Sequence, residues 1–242
     1  MLSKTQISQI TSLSRKKVRD REKMFVAEGL KLVEDLISSG IKPHKIFSTQ
    51  TIFRRGNLPL QLISEAELKK ISGLKTPQAV VGIFEIPEPQ EINYNQWIVA
   101  LDDVRDPGNL GTIIRLCDWF GIQNLVCSET SVDCFNPKVI QATMGSIARV
   151  YVHYVDLKNF LKNAPLPVYG TFMIGKNIYE TSLPENGILV MGNEANGISE
   201  EISNLCGQKI TIPKFGHKKA ESLNVAMATA VFLSEIKRFT EK

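Results

Sequence analysis

The sequence predicts an α/β chain in which a mostly parallel sheet, with helices on both faces, follows a smaller α/β domain. Two observations carry that prediction. From residue 97 onward, apolar runs of strand length alternate with stretches of helical spacing, as in a parallel sheet covered by helices. Ahead of them lies IPEPQEINYN, residues 86–95, where Pro87 and Pro89 precede a polar run, a composition that suits a linker. The expected division is a first domain over 1–88, a linker over 89–95 and a second domain over 96–242. A length of 242 residues accommodates one small and one medium domain.

Taken in order, residues 3–19 place Ile7, Ile10, Leu13 and Val18 on one side of a helix. Met24–Glu28 reads as a strand and Leu30–Ile37 as a helix stopped by Ser-Ser-Gly. Lys45–Ser48 and Leu60–Ile63 read as short strands, Glu65–Ile71 as a helix, and Ala79–Ile86 as a β-branched strand. Past the linker, strands are expected at 97–101, 124–128, 150–154, 168–173, 188–192 and 209–213. Helices are expected at Leu110–Phe120, Pro137–Gly145 and Ser222–Phe239, the last with an apolar stripe through Leu223, Met227, Ala230, Val231 and Leu233. No internal repeat and no low-complexity tract interrupts this pattern.

Composition removes several classes. Hydrophobic residues make up 43% and charged residues 22%, ordinary globular usage rather than that of a disordered chain. Mean hydropathy is -0.05, and no apolar run approaches the roughly 18 residues of a membrane span. The first residues lack an apolar core with a cleavage site, so no secretory signal is expected. Cys117, Cys127, Cys134 and Cys206 form no CxxC pair and the chain holds 3 histidines, which argues against a metal site and for reduced, buried thiols in the cytoplasm. Charge is unevenly spread. Residues 1–25 hold seven basic side chains (Lys4, Arg15, Lys16, Lys17, Arg19, Arg21, Lys23) against two acidic ones, more than the whole chain's surplus of +4. Such a segment neutralises phosphates and points to nucleic acid, the alternative being a solvated helix face. The scarcity of aromatics among these charges argues against base stacking and for backbone and shape contacts.

Ligands of an open parallel sheet bind outside the carboxyl ends of its strands, and three unusual loops fall there. DDVRDPGNLGTIIR leads from the strand at 97–101 into a helix, with Asn109 placed to cap it, Gly111 allowing close approach and Arg115 six residues after Asn109. Alone it is compatible with a capped helix and a surface arginine. MGNEANGIS crowds Asn193, Glu194 and Asn196 between Gly192 and Gly197, more polar groups than a connection needs. In IPKFGHKKAESLNVAMATA, Ser222 is placed to cap the last helix. Asn224 follows in the first turn, and the N–H groups of Leu223 and Asn224 are offered to an anion. GxGxxG, Walker A, GxSxG and HExxH motifs are all missing.

Together, Asn109-x-Gly111-x-x-x-Arg115, Gly192-Asn193-Glu194-x-Asn196-Gly197 and Ile212-Pro213…Ser222-Leu223-Asn224-Val225 resemble the three motifs of the SpoU (TrmH) family of RNA ribose 2′-O-methyltransferases, in order and each after an expected strand. The N-terminal part resembles the small α/β substrate-binding domain of many members, including the basic stretch before Phe25-Val26-Ala27-Glu28-Gly29. The resemblance implies S-adenosylmethionine as methyl donor, a C-terminal trefoil knot, and a homodimer with its active site near the subunit interface. Periodicity says nothing of a knot, and general topology rules run against one. One departure stands out: Lys214 occupies a position where members often carry Met, and five residues, His217–Glu221, separate Gly216 from Ser222.

The reaction so implied is attack of a ribose 2′-hydroxyl on a sulfonium methyl, which needs two reactants in line and removal of a proton. The resemblance and the strand ends together place the donor at Thr171, Gly192, Ile212 and Leu223, and the acceptor ribose among Arg115, Asn109, Glu194, Ser222 and Asn224. Arg15, Lys16, Lys17, Arg19, Arg21 and Lys218 are expected to bind RNA. Family proposals give the motif arginine the part of general base, but a guanidinium stays protonated in proteins. Arg115 is instead expected to clamp the target phosphate and stabilise the developing alkoxide, held by Glu194 or Asn109. Proton removal then falls to Glu194, His217 or water. Ribosomal RNA is the expected substrate, with a tRNA-directed enzyme or a non-catalytic RNA-binding assembly protein as alternatives.

Overall fold

The computed structural model describes residues 1–51, 58–216 and 222–240. By contact the chain gathers into two units, Met1–Glu88 with Asp133–Ala148, and Pro89–Val132 with Arg149–Lys242.

The first helix, α1 (Lys4–Ser12), starts at a capping box in which Ser3 Oγ accepts from the Gln6 N–H and the Gln6 side chain accepts from the Ser3 N–H. The single helix expected over 3–19 is broken at residues 13–15, and α2 (Lys16–Glu22) follows. Arg19 explains the break. Its guanidinium donates to the Leu13 and Ser14 carbonyls at 2.7 and 2.8 Å, satisfying acceptors that a helix end leaves without partners. After α2 come β1 (Met24–Glu28), α3 (Leu30–Ser38), β2 (Pro43–Ser48), β3 (Leu60–Leu62), α4 (Glu65–Ile71) and β4 (Val80–Glu85). A second capping box opens α4: Ser64 Oγ accepts from the Glu67 N–H, and Glu67 accepts from the N–H groups of Ser64 and Leu2. Those backbone donors, Ser64 first, pull the Glu67 carboxyl down to about 2. Among the described residues the sheet runs β1-β4-β2-β3, antiparallel except for the parallel β2–β3 pair. Its core joins Ile10, Leu13, Val26, Phe47, Leu68 and Val81.

The second unit begins with β5 (Ile98–Leu101), α5 (Pro107–Trp119) and β6 (Asn124–Ser128); α6 (Pro137–Thr143) belongs to the first unit, where it packs on β1. Then follow β7 (Tyr151–Val155), α7 (Leu157–Asn163), β8 (Val168–Asn177), β9 (Ile188–Met191), α8 (Glu200–Ser203), β10 (Gln208–Thr211) and α9 (Val225–Thr240). The sheet order is β10-β8-β9-β5-β6-β7, and every pair is parallel. The centre of that sheet is dry: Ile98, Val99, Ala100 and Leu101 are wholly buried, as a strand covered on both faces must be. Ile98 and Ala100 join Leu157 and Leu161 of α7 and Ile202 of α8 in one cluster. The alternate residues Val99 and Leu101 face the other side, where α5 packs on β6 and α9.

Among the elements whose bounds differ from those expected, two show a clear cause. β8 extends to Asn177 rather than 173, because its pairing with β10 jumps from Gly170–Lys209 to Lys176–Ile210 and Thr171–Gly175 leave the ladder. α9 starts at Val225 rather than Ser222, since Asn224 Oδ1 accepts the Ala226 and Met227 N–H groups at 3.0 and 3.3 Å.

Candidate active site

Parallel strands deliver their following loops to one edge of the sheet. In the order β10-β8-β9-β5 the four strands that feed the three motif loops and Thr171 are neighbours, so residues more than a hundred positions apart converge. Asn109 Nδ2 donates to Glu194 Oε1 at 2.7 Å, and Asn224 Nδ2 donates to Asn109 Oδ1 at 2.9 Å. One side chain from each loop thus enters a single hydrogen-bonded row.

Local structure frees these side chains. Asp106, not Asn109, caps α5: its carboxylate accepts the Asn109 N–H at 2.8 Å, with Pro107 in the first turn. Relieved of capping, Asn109 spends its amide on Glu194 and Asn224. Asn224 does two jobs, since Oδ1 caps α9 while Nδ2 reaches Asn109. Ser222, expected as the cap, lies exposed before the helix. Glu194 is exposed, and its second carboxylate oxygen has no hydrogen bond among the described residues, so it is available to accept a proton. Arg115 projects to solvent from α5 and joins no hydrogen bond or ion pair among the described residues. Six residues along a helix turn it well away from the face of Asn109, so this row holds neither Arg115 nor Ser222.

The residues expected to hold the donor sit along the same edge. Thr171 begins the segment that leaves the ladder, and its hydroxyl donates to the Val190 carbonyl at 2.9 Å. Gly192 follows β9, and a Cβ there would lie 2.2 Å from Gly197 C and Ile198 N, so only glycine fits. Ile212 is half-buried just beyond β10, and Leu223 is exposed before α9. Backbone groups released from the ladder next to the end of β10, which apolar Ile212 follows, suit an adenosyl group with polar edges and an apolar face. The donor set therefore fits S-adenosylmethionine.

Of the basic residues expected to meet RNA, Arg15, Lys16 and Lys17 are exposed, and Arg21 is exposed while paired with Glu22. Arg19 is a correction. It is 2% exposed, donates to the Leu13 and Ser14 carbonyls, and forms an ion pair with Asp133. Its guanidinium is consumed by the fold and has nothing to offer a phosphate. Lys218 and His217 lie outside the described residues. Sequence reasoning missed Asp102, Asp103 and Ser128, which brace the Glu194 loop from β5 and β6; two adjacent aspartates after an apolar run were the visible signal.

Comparison with known proteins identifies the family. Residues 96–234 match the model of the SpoU rRNA methylase family, and residues 4–82 that of an MRM3-like substrate-binding domain. The chain is 29% identical over 233 residues to the 23S rRNA (guanosine(2553)-2′-O)-methyltransferase RlmP of Bacillus subtilis, covering 93% of each. It is 38% identical to the structure of a TrmH-family RNA methyltransferase from Porphyromonas gingivalis, with a TM-score of 0.89 over 98% of this chain and 99% of that one. An AdoMet-bound rRNA methyltransferase from Sinorhizobium meliloti is 34% identical, with a TM-score of 0.85 over 98% of this chain and 97% of its own. With the matched region spanning more than half its length and the motif residues gathered at one sheet edge, the chain belongs to the SpoU rRNA methylase family.

Proposed function

We propose that this protein transfers a methyl group from S-adenosylmethionine to the 2′-hydroxyl of a ribose in ribosomal RNA. The observation that carries the reading is the row Asn224–Asn109–Glu194, which unites one side chain from each of the three motifs. When bound, S-adenosylmethionine supplies an electrophilic methyl on a sulfonium sulfur. The chain's own residues do the rest. Glu194, held through Oε1 by Asn109, takes the hydroxyl proton on its other oxygen. Asn224 fixes Asn109, and Thr171, Gly192, Ile212 and Leu223 orient the donor. Arg115, exposed on a different face of α5 from Asn109, is assigned to the phosphate beside the target ribose rather than to the Glu194 row. Ser222 lines the acceptor side.

Residues 1–88 act as the RNA-binding domain through Arg15, Lys16, Lys17 and Arg21, and residues 96–242 carry catalysis, with 89–95 joining them. The protein works in the cytoplasm as a homodimer, with the C-terminal segment threaded into a trefoil knot. Family membership supports both quaternary state and knot, and the exposed apolar side chains Met173, Ile174, Phe215 and Met227 support a partner on the catalytic unit. The test is transfer of labelled methyl groups to ribosomal RNA, followed by alkaline hydrolysis. A 2′-O-methyl group blocks cleavage, so label is expected in alkali-resistant dinucleotides. Label confined to alkali-labile nucleotides, or none at all, would overturn the reading.

A further inference from the structure

We infer that Asn193 is the positioning residue of the active site, acting with Asp102 and Asp103 to hold the Glu194 loop at the height at which Glu194 meets Asn109. The inference rests on the proposed reaction and concerns what sets the geometry of its carboxylate. Glu194 is exposed and stands on a turn between residues 192 and 199, whose backbone closes on itself through reciprocal Asn193–Gly197 hydrogen bonds of 2.9 Å. Such a hairpin is locally tight but does not determine where its tip lies relative to α5. That is decided by two clamps from the end of β5. At the near end, Asn193 Nδ2 donates to the Asp103 carbonyl at 2.7 Å. At the far end, the Ser199 N–H donates to the buried Asp102 carboxylate at 2.7 Å.

Each end of this bracing is itself fixed. Asn193 Oδ1 accepts the Ala195 and Asn196 N–H groups at 2.9 and 3.1 Å, folding the turn around Glu194. Asp103 adopts a left-handed conformation, φ 60°, rarely taken by residues other than glycine, asparagine or aspartate. Its N–H is held by Ser128 Oγ at 2.9 Å, and that hydroxyl is also bonded to Ser131 Oγ at 3.0 Å. This left-handed turn directs the Asp103 carbonyl to Asn193. Asn193 has therefore spent both ends of its amide on protein groups and has no need to touch substrate. Glu194, the next residue, has one oxygen on Asn109 and the other open.

The test separates the clamp from the turn. Asn193→Asp keeps an oxygen for the Ala195 and Asn196 N–H groups but replaces the donor that holds Asp103. The expected result is a kcat lower by on the order of tenfold to a hundredfold, as for a small misplacement of a reacting group, with KM for RNA and calorimetric affinity for S-adenosylmethionine within about twofold. Asp102→Ala should show the same split, and Asp102→Asn, which can still accept from Ser199, should restore most of the rate. A second readout needs no turnover: the Asn109 side-chain amide resonance, shifted by its bond to Glu194, should move toward the solvent value in Asn193→Asp. Unchanged kcat or an unmoved Asn109 resonance in Asn193→Asp would overturn the inference, as would equal activity in Asp102→Ala and Asp102→Asn. Wild-type protein that methylates no RNA while Asn193→Asp still shifts the Asn109 resonance would refute the proposed function and leave the positioning role standing.

Discussion

Among the described residues nothing pairs with the charge of Arg115. An arginine guanidinium is not a proton acceptor in a protein, whereas its planar fork matches a phosphate in two parallel hydrogen bonds. With no partner among the described residues it is available for that task. Arg115→Ala is expected to lower kcat by on the order of a hundredfold to a thousandfold, the cost of removing one transition-state donor, while affinity for S-adenosylmethionine stays within about twofold. Arg115→Lys keeps the charge and loses the fork, so it should remain well below wild type at saturating RNA. Near-normal transfer by the lysine variant, or parallel loss of donor affinity in the alanine variant, would contradict the clamp. Arg19, four positions from Arg15, has the same chemistry and the opposite fate, because burial rather than residue type decides which guanidinium stays exposed.

Capping and helix ends decide much at the scale of elements. The break between α1 and α2 exists because Arg19 takes up the Leu13 and Ser14 carbonyls and then pairs with Asp133, the first residue of the later segment that joins the first unit. Removing one partner of a buried pair leaves the other charge uncompensated, so Arg19→Met should destabilise by about 3 kcal/mol or more. Pairing it with Asp133→Leu should recover part of that loss, checked by urea unfolding of single and double variants. At α4, the Glu67 carboxyl is lowered from 4.5 to about 2 by backbone donors. A folded value below the unfolded one means the unfolded chain binds more protons in that window. The cap's contribution is therefore complete above about pH 4.5 and lost as pH falls toward 2. Glu67→Gln should accordingly unfold earlier than wild type in urea at pH 7, and the gap should close as the pH is lowered to 2. A constant gap would show that the cap acts through shape alone.

For the whole molecule, the decisive property is a fully parallel sheet whose strand order brings β10, β8, β9 and β5 side by side. That order gathers loops centred near residues 109, 194 and 224 at one edge, where Glu194 and Asn224 are exposed. Met173 and Ile174, where β8 leaves its ladder, are exposed apolar side chains of the kind a subunit interface covers. Sedimentation equilibrium is expected to return twice the chain mass of 27.0 kDa at micromolar concentration. Ile174→Lys should shift that value toward the monomer and reduce methyl transfer with it. A monomeric wild type with full activity would remove the dimer from the proposal.

Strand–helix alternation was legible because a parallel strand buried on both faces has to be an unbroken apolar run, as IVAL at 98–101 is. The MGNEANGIS loop was legible because its amides exceed what a turn requires, whereas the other two gained meaning only from the resemblance of all three, in order, to the family motifs. Capping was not legible. Asp106, Asn109, Ser222 and Asn224 are all residue types that cap helices, and only the positions of the partner N–H groups assign the task to Asp106 and Asn224. Nor could sequence distinguish Arg19 from its exposed basic neighbours, since the carboxylate that claims it stands 114 residues away. Residue pattern alone determined the strand–helix alternation and singled out the loops that follow β5, β9 and β10. Tertiary structure decided which side chains are spent on the fold, because a hydrogen bond is fixed by distance in space, and separation along the chain says nothing of it.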